Sequence, residues 1–158
     1  MKKVLIVLAL VALAVVPVAA KGVAAIGLEA GSPSGVAFTY DIDDKWDGYA
    51  TIGFGFIGDQ TVRFAVGGQY KVTDFEIGKA EFDVNVGLQT GASIYLGDNV
   101  YIGIPVLATG SIDYDWTWKD VGDFTAYFRL GLGARFAFAD GFGIGFDGAG
   151  ALGLVYHF

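Results

Sequence analysis

The sequence predicts an all-β fold, an eight-stranded antiparallel up-and-down barrel formed by one domain. Three observations predict it. Apolar residues recur at every second position through most of the chain after residue 24. Turn-forming clusters cut that alternation into eight runs. And although 54% of the 158 residues are hydrophobic and mean hydropathy is +0.53, no uninterrupted apolar run after residue 20 reaches the ~20 residues that a spanning helix needs.

The first twenty residues read as an export leader. Lys2 and Lys3 form a positive start, Val4 to Val16 is unbroken apolar sequence, and Pro17-Val18-Ala19-Ala20 supplies small residues for cleavage after Ala20. Residues 1–20 are therefore expected to be a cleavable signal peptide and residues 21–158 the mature barrel. Losing Lys2 and Lys3 takes the formal charge from −7 to −9. An acidic chain repels phosphate backbones, which argues against nucleic acid as a partner. The absence of Cys excludes disulfide scaffolds, thiol nucleophiles and Cys-ligated zinc, and a single His leaves little room for a His-based metal site or a Ser-His-Asp triad. No cofactor is expected.

The eight runs follow in order. Ala24, Ile26 and Leu28 open the first, and Val36, Phe38 and Tyr40 the second. Ile52, Phe54 and Phe56 mark the third, and Val62, Phe64 and Val66 the fourth. The fifth runs from Phe82 to Leu96, the sixth from Ile102 to Trp116, the seventh from Phe124 to Phe138 and the eighth from Phe142 to Phe158. Even positions are mostly apolar in every run, while odd positions are mostly small, polar or charged. Period two places these sets on opposite faces of a strand. Between the runs lie Gly31-Ser32-Pro33-Ser34-Gly35, Asp43-Asp44-Lys45, Gly58-Asp59, Thr73-Asp74, Gly97-Asp98-Asn99, Asp120-Val121-Gly122-Asp123 and Asp140-Gly141.

Length and face chemistry decide the solvent. Several runs are 12 or more residues long, whereas soluble strands average about 5–6 and a tilted spanning strand needs ~9–11. A soluble barrel packs its large apolar face inward, and a membrane barrel turns it out. Here the opposite face is rich in glycine, including Gly53, Gly67, Gly87, Gly131 and Gly143, and a soluble core built of glycine would be mostly void. The expectation is a transmembrane β-barrel with its even face toward lipid.

The C-terminal Gly153-Leu154-Val155-Tyr156-His157-Phe158 fits Gly-x-x-aromatic-x-aromatic with a final Phe. This resembles the signal by which bacterial outer-membrane barrels are recognised for insertion. Strand number and length are similar to the small eight-stranded barrels of the outer-membrane protein X type and to the transmembrane domain of outer-membrane protein A. The resemblance implies residence in the outer membrane of a diderm bacterium, as a monomer surrounded by outer-membrane lipid. It also implies transient partners, namely periplasmic chaperones and the barrel assembly machinery, with Gly153, Tyr156 and Phe158 as the assembly signal. In such barrels both termini face the periplasm and the outer loops are the longer ones. This sequence departs from that pattern: its longer links, Asp43 to Gly48, Thr73 to Ala80 and Trp118 to Asp123, fall on the terminal side.

Charges on the inward face should pair, because an isolated charge in a low-dielectric lumen is costly. The expected network sets Arg63, Arg129 and Arg135 against Glu29, Glu81 and Asp147. Tyr40, Trp46, Tyr114, Trp116, Trp118 and Tyr156 gather at the terminal ends of their runs, where amphipathic rings form an interfacial girdle. Phe56, Tyr95, Tyr101, Phe138 and Phe142 are expected to form the opposite belt. His157 has no serine within three residues of it in sequence, so no catalytic residues are expected. The sequence thus favours a non-catalytic barrel with a structural or interaction role and a lumen plugged by charged side chains. The alternatives are transport, through a narrow porin-like pore or a conduit for small apolar molecules, and a lipid-modifying enzyme.

Overall fold

The computed structural model describes residues 25–55, 61–96, 100–138 and 141–158. The leader at residues 1–20 and the connections at 56–60, 97–99 and 139–140 lie outside the described residues. Eight strands follow one another: β1 (Ala25–Gly31), β2 (Ser34–Asp41), β3 (Trp46–Gly55), β4 (Thr61–Ile77), β5 (Ala80–Leu96), β6 (Val100–Trp118), β7 (Gly122–Phe138) and β8 (Phe142–His157). Each pairs antiparallel with its neighbours in sequence, and β8 closes on β1.

The closure can be followed residue by residue. From Gly153 the registers lead to Glu29, Gly35, Gly53, Arg63, Ser93, Gly103, Ala137 and finally Gly143, which lies ten residues up β8 from the start. A stagger of that size on eight strands tilts them by about 35–45° from the barrel axis and leaves an interior filled by side chains. Every residue on this circuit has odd parity, so the circuit is a row of the inner face.

The two faces are chemically inverted relative to a soluble protein. Leu28, Leu88, Leu132 and Leu152 are each more than 60% exposed on the outer face. Glu29, Gln69, Asn85, Gln89 and Arg129 are buried in the interior.

Parity holds along the chain except at one place. β4 and β5 shift register between Lys71 and Thr73, so that Lys71 faces Asn85 but Thr73 faces Val84. This bulge turns Phe75 to the outer face, where its ring stacks on Phe82 at 5.2 Å. The bulge corrects the reading of Thr73 to Ala80 as a long link: β4 continues to Ile77 and the turn is Gly78-Lys79. The other two links shrink likewise, to Ile42–Lys45 and Lys119–Val121. β1 and β2 are the opposite surprise, with 7 and 8 residues against 16 to 19 for β4 to β8.

Candidate functional site in the barrel lumen

The interior divides into three levels. At the end where β1 begins and β8 ends lies a cavity of about 440 Å³. Seven aspartates line it (Asp41, Asp43, Asp44, Asp47, Asp83, Asp113 and Asp115), against Lys71, Arg129 and His157. Lys71 reaches Asp83 at 2.6 Å across the bulged pair of strands. Asp113 accepts hydrogen bonds from Gln69 and Asn85, each at 2.9 Å, so its charge is held by amides rather than by a cation. Among the described residues no cluster of His, Cys, Asp or Glu could hold a metal ion.

The cavity ends on a septum. Arg129, 5% exposed, lies with its guanidinium 3.5 Å from the ring centre of Tyr49 and 4.7 Å from that of Tyr127. Its Nη1 meets Glu29 at 3.5 Å, and the Tyr127 hydroxyl donates to the same Glu29 oxygen at 2.6 Å. The Tyr49 hydroxyl donates to Gln89 at 3.3 Å, and Leu107, in register with Gln89, is 1% exposed. A carboxylate and two aromatic faces therefore stabilise one buried guanidinium.

Both tyrosines need a glycine opposite. Tyr127 pairs in register with Gly153, and Tyr49 with Gly67. Each ring lies across the α-carbon of its glycine, in the space a Cβ would take. Gly153 thus has a packing role in the finished barrel, whatever part it plays in assembly.

Beyond the septum is a third level with Arg63, Arg135 and Asp147. Arg135 grips Asp147 through two hydrogen bonds, at 3.0 and 2.7 Å, and donates to the Tyr95 hydroxyl at 2.8 Å. Arg63 contacts the Ser32 hydroxyl through Nη1, while its buried Nε meets no hydrogen-bond partner among the described residues.

The structure therefore brings Arg129 to Glu29 and Arg135 to Asp147. It does not bring Glu81 into the network: that residue is exposed at the β4–β5 tip, opposite Glu76 in register. Arg63 stands against Ser32 rather than a described carboxylate. Sequence reading missed Tyr49, Tyr127 and Tyr95 as lumen groups. Their odd parity was the available signal, and Tyr95 and Tyr101, expected in an outer belt, stack inside at 3.8 Å. It also missed that Thr125 lies 2.7 Å from His157 Nε2 and hydrogen-bonds Asp115. The Thr125 hydroxyl thus sits between the His157 imidazole and the Asp115 carboxylate.

On the outer surface near the terminal end the rings form a ladder. Phe82, Tyr114, Trp116, Phe124, Tyr156 and Phe158 follow one another with centres 5.1–5.8 Å apart. Trp46 meets Tyr70 at 5.1 Å, the Tyr40 ring covers Gly48, and Trp118 extends the ladder beyond Phe124. No family model, curated protein or solved structure matches the chain.

Proposed function

We propose that this protein is an integral outer-membrane barrel with a non-catalytic structural or interaction role, its lumen closed at mid-height by the Tyr49–Arg129–Tyr127–Glu29 septum. The inverted distribution of polarity carries the reading. Large apolar side chains cover the outside, from Leu28 on β1 to Leu152 on β8, while the inside holds buried amides, hydroxyls and ion pairs. Water as the outer solvent would leave that apolar surface unpaid for, whereas lipid makes it the stable arrangement. The aromatic ladder supplies the interfacial ring expected of such a barrel.

The septum supports a closed barrel over a pore, because the buried Arg129 guanidinium and the Tyr49 and Tyr127 rings occupy the lumen at that level. The deciding experiment is refolding of mature chain, residues 21–158, with and without detergent micelles. The expected outcome is sheet-rich, heat-modifiable protein only when micelles are present. A monodisperse folded monomer in plain buffer refutes the membrane reading.

A further inference from the structure

Four aspartates crowd the hairpin of β2 and β3 at the terminal end. Asp41 stands directly opposite Asp47 in register, and Asp43 and Asp44 follow Asp41 in the connecting turn. All four line the cavity of about 440 Å³. Like charges set directly across an antiparallel pair are destabilising. Among the described residues the ion pairs join Lys71 to Asp83, Arg129 to Glu29 and Arg135 to Asp147, and none of them reaches this hairpin. Lys45, the one cation the hairpin carries, lies with its Nζ 6.0 Å from the centre of the Tyr70 ring. Asp43 accepts the N–H groups of Lys45 and Trp46 through Oδ1, at 2.9 and 3.0 Å, which fixes the turn without supplying a counter-charge.

The chain carries that counter-charge just ahead of β1. Ala25 faces Thr39 of β2, and each residue back along β1 is met by the next one along β2. Continued in the same register, the pairing sets Val23 opposite Asp41 and Lys21 opposite Asp43, both on the odd, inner parity. On its other side the register aligns Ala24 with Phe158, where the chain stops, so residues 21–23 have β2 alone to pair with. Lys21 is the only charged residue of the expected mature chain before Glu29. Cleavage after Ala20 gives that residue a second positive charge, a new α-ammonium that is largely protonated near neutral pH.

We propose that the mature N-terminus docks along the free edge of β2 and clasps the aspartates of the β2–β3 hairpin, with Lys21 and its α-ammonium against Asp41, Asp43 and Asp44. Tethering favours this segment over a free cation: four residues, roughly 13 Å of extended chain, hold both charges at the mouth of the cavity at a high effective concentration. Only the processed chain can make the whole clasp, because in the precursor the Lys21 nitrogen is an uncharged amide bonded to the leader. Removal of the leader thus also extends β1, at 7 residues the shortest strand of the barrel. The proposal rests on the outer-membrane reading above only through the cleavage that export brings.

The protein has no cysteine, so an engineered pair reports the docking without background. Residues directly opposite across an antiparallel pair lie about 4.5–5.5 Å apart at Cα, within reach of a disulfide. The mature chain, residues 21–158, carrying Val23→Cys and Asp41→Cys is refolded in micelles, checked for heat modifiability and oxidised mildly, and disulfide closure is timed by intact mass. Asp43, Asp44 and Asp47 remain in this chain to attract Lys21. Closure should outpace that of a Val23→Cys, Asp74→Cys barrel, whose second cysteine lies on β4, by about fivefold or more, the factor that a tether held by one ion pair supplies. Adding Lys21→Gln should slow closure about two- to fivefold, the range that exposed ion pairs reach, and Lys119→Gln, which removes an equal charge from the β6–β7 turn, should leave it unchanged. Salt near 1 M, where the screening length is about 3 Å, should bring the rate down to that of Lys21→Gln. A chain that keeps Ala19 and Ala20 ahead of Lys21 holds its α-ammonium two residues further out and should also close more slowly. Equal closure of the two cysteine pairs overturns the clasp, as does closure indifferent to Lys21→Gln. An exported protein whose intact mass begins after Lys21 overturns it as well. None of these results touches the membrane reading, which fails only if the chain folds without micelles.

Discussion

Replacing Glu29 by Gln tests the septum directly. The carboxylate is 5% exposed, accepts from Tyr127 at 2.6 Å and faces the Arg129 guanidinium at 3.5 Å. Gln keeps an acceptor for the Tyr127 hydroxyl, so the hydrogen bond survives in its weaker neutral form. What disappears is the counter-charge of a buried cation, and removing one partner of a buried ion pair costs about 3–5 kcal/mol. Two features of this site lower that figure. The ion-pair contact is at the long end of hydrogen-bonding range, and the Tyr49 and Tyr127 rings still offer the guanidinium a cation–π environment of about 2 kcal/mol when desolvated. The expected loss is therefore about 2–3 kcal/mol. Urea unfolding of the micelle-refolded barrel, followed by tryptophan fluorescence and by heat modifiability, measures it. Arg129→Gln in the Glu29→Gln background should recover part of the loss, and a double-mutant cycle should give a coupling above about 1 kcal/mol. A Glu29→Gln barrel within about 0.5 kcal/mol of wild type, or strictly additive single changes, refutes the account of the septum as one electrostatic unit.

Three further outcomes are expected. Gly153→Ala places a methyl group where the Tyr127 ring lies, and should destabilise the folded barrel by about 1–3 kcal/mol, with Tyr127→Ala in the same chain relieving the clash; equilibrium unfolding checks both. Leu130→Arg, at a site 53% exposed on the outer face, should cost about 2–4 kcal/mol in lipid vesicles, and the same change at Thr125 on the cavity side should cost less; equal penalties would show that the two faces are wrongly assigned. Wild-type barrel in planar bilayers should pass no steady current, whereas Tyr49→Ala with Tyr127→Ala removes both rings of the septum and should open a cation-preferring conductance, because the cavity leading to it is lined by aspartates.

The fold was legible because one signal, period-two alternation, repeats over the chain. It fails where the backbone departs from strict alternation. At Lys71 to Thr73 a single extra residue moves Phe75 to the outer face, and a reader who keeps the parity constant ends the strand there. The shortness of β1 and β2 was hidden for a different reason: Gly31 to Gly35 reads as a turn either way, and nothing in the sequence says how far β8 climbs beyond it. The lumen pairing was half visible. Parity named the inward charges, but pairing depends on the stagger between strands, and alternation along one strand carries no information about stagger. The ten-residue circuit is what brings Glu29 of β1 to Arg129 of β7, across β8. Glu81, equally inward by parity, is carried past the rim by the same geometry and faces Glu76 at the exposed tip.

That stagger also explains why tyrosine rather than more charge closes the barrel. An inner face with Gly67 opposite Tyr49 and Gly153 opposite Tyr127 has room for two rings only because the residues across from them have no side chain. The rings then bury one guanidinium whose charge a single carboxylate balances. A septum built of two ion pairs would desolvate twice the charge for the same blocked area, and each added ion costs several kcal/mol before its partner repays it. Below this closure the lumen is lined by aspartates, and above it, among the described residues, Arg63 and Arg135 stand with Asp147. A septum that failed would join those two chambers. The conductance of the Tyr49→Ala, Tyr127→Ala barrel therefore reads more than the loss of a plug. The current should rectify, since cations concentrate in the aspartate-lined cavity and are repelled at the inner level of Arg63 and Arg135. Neutralising Arg63 and Arg135 together with the two tyrosine changes should remove the rectification and leave the cation preference in place. A current that is symmetric before those arginines are changed contradicts the charge separation itself, and with it the reading of the lumen as two chambers divided at Arg129.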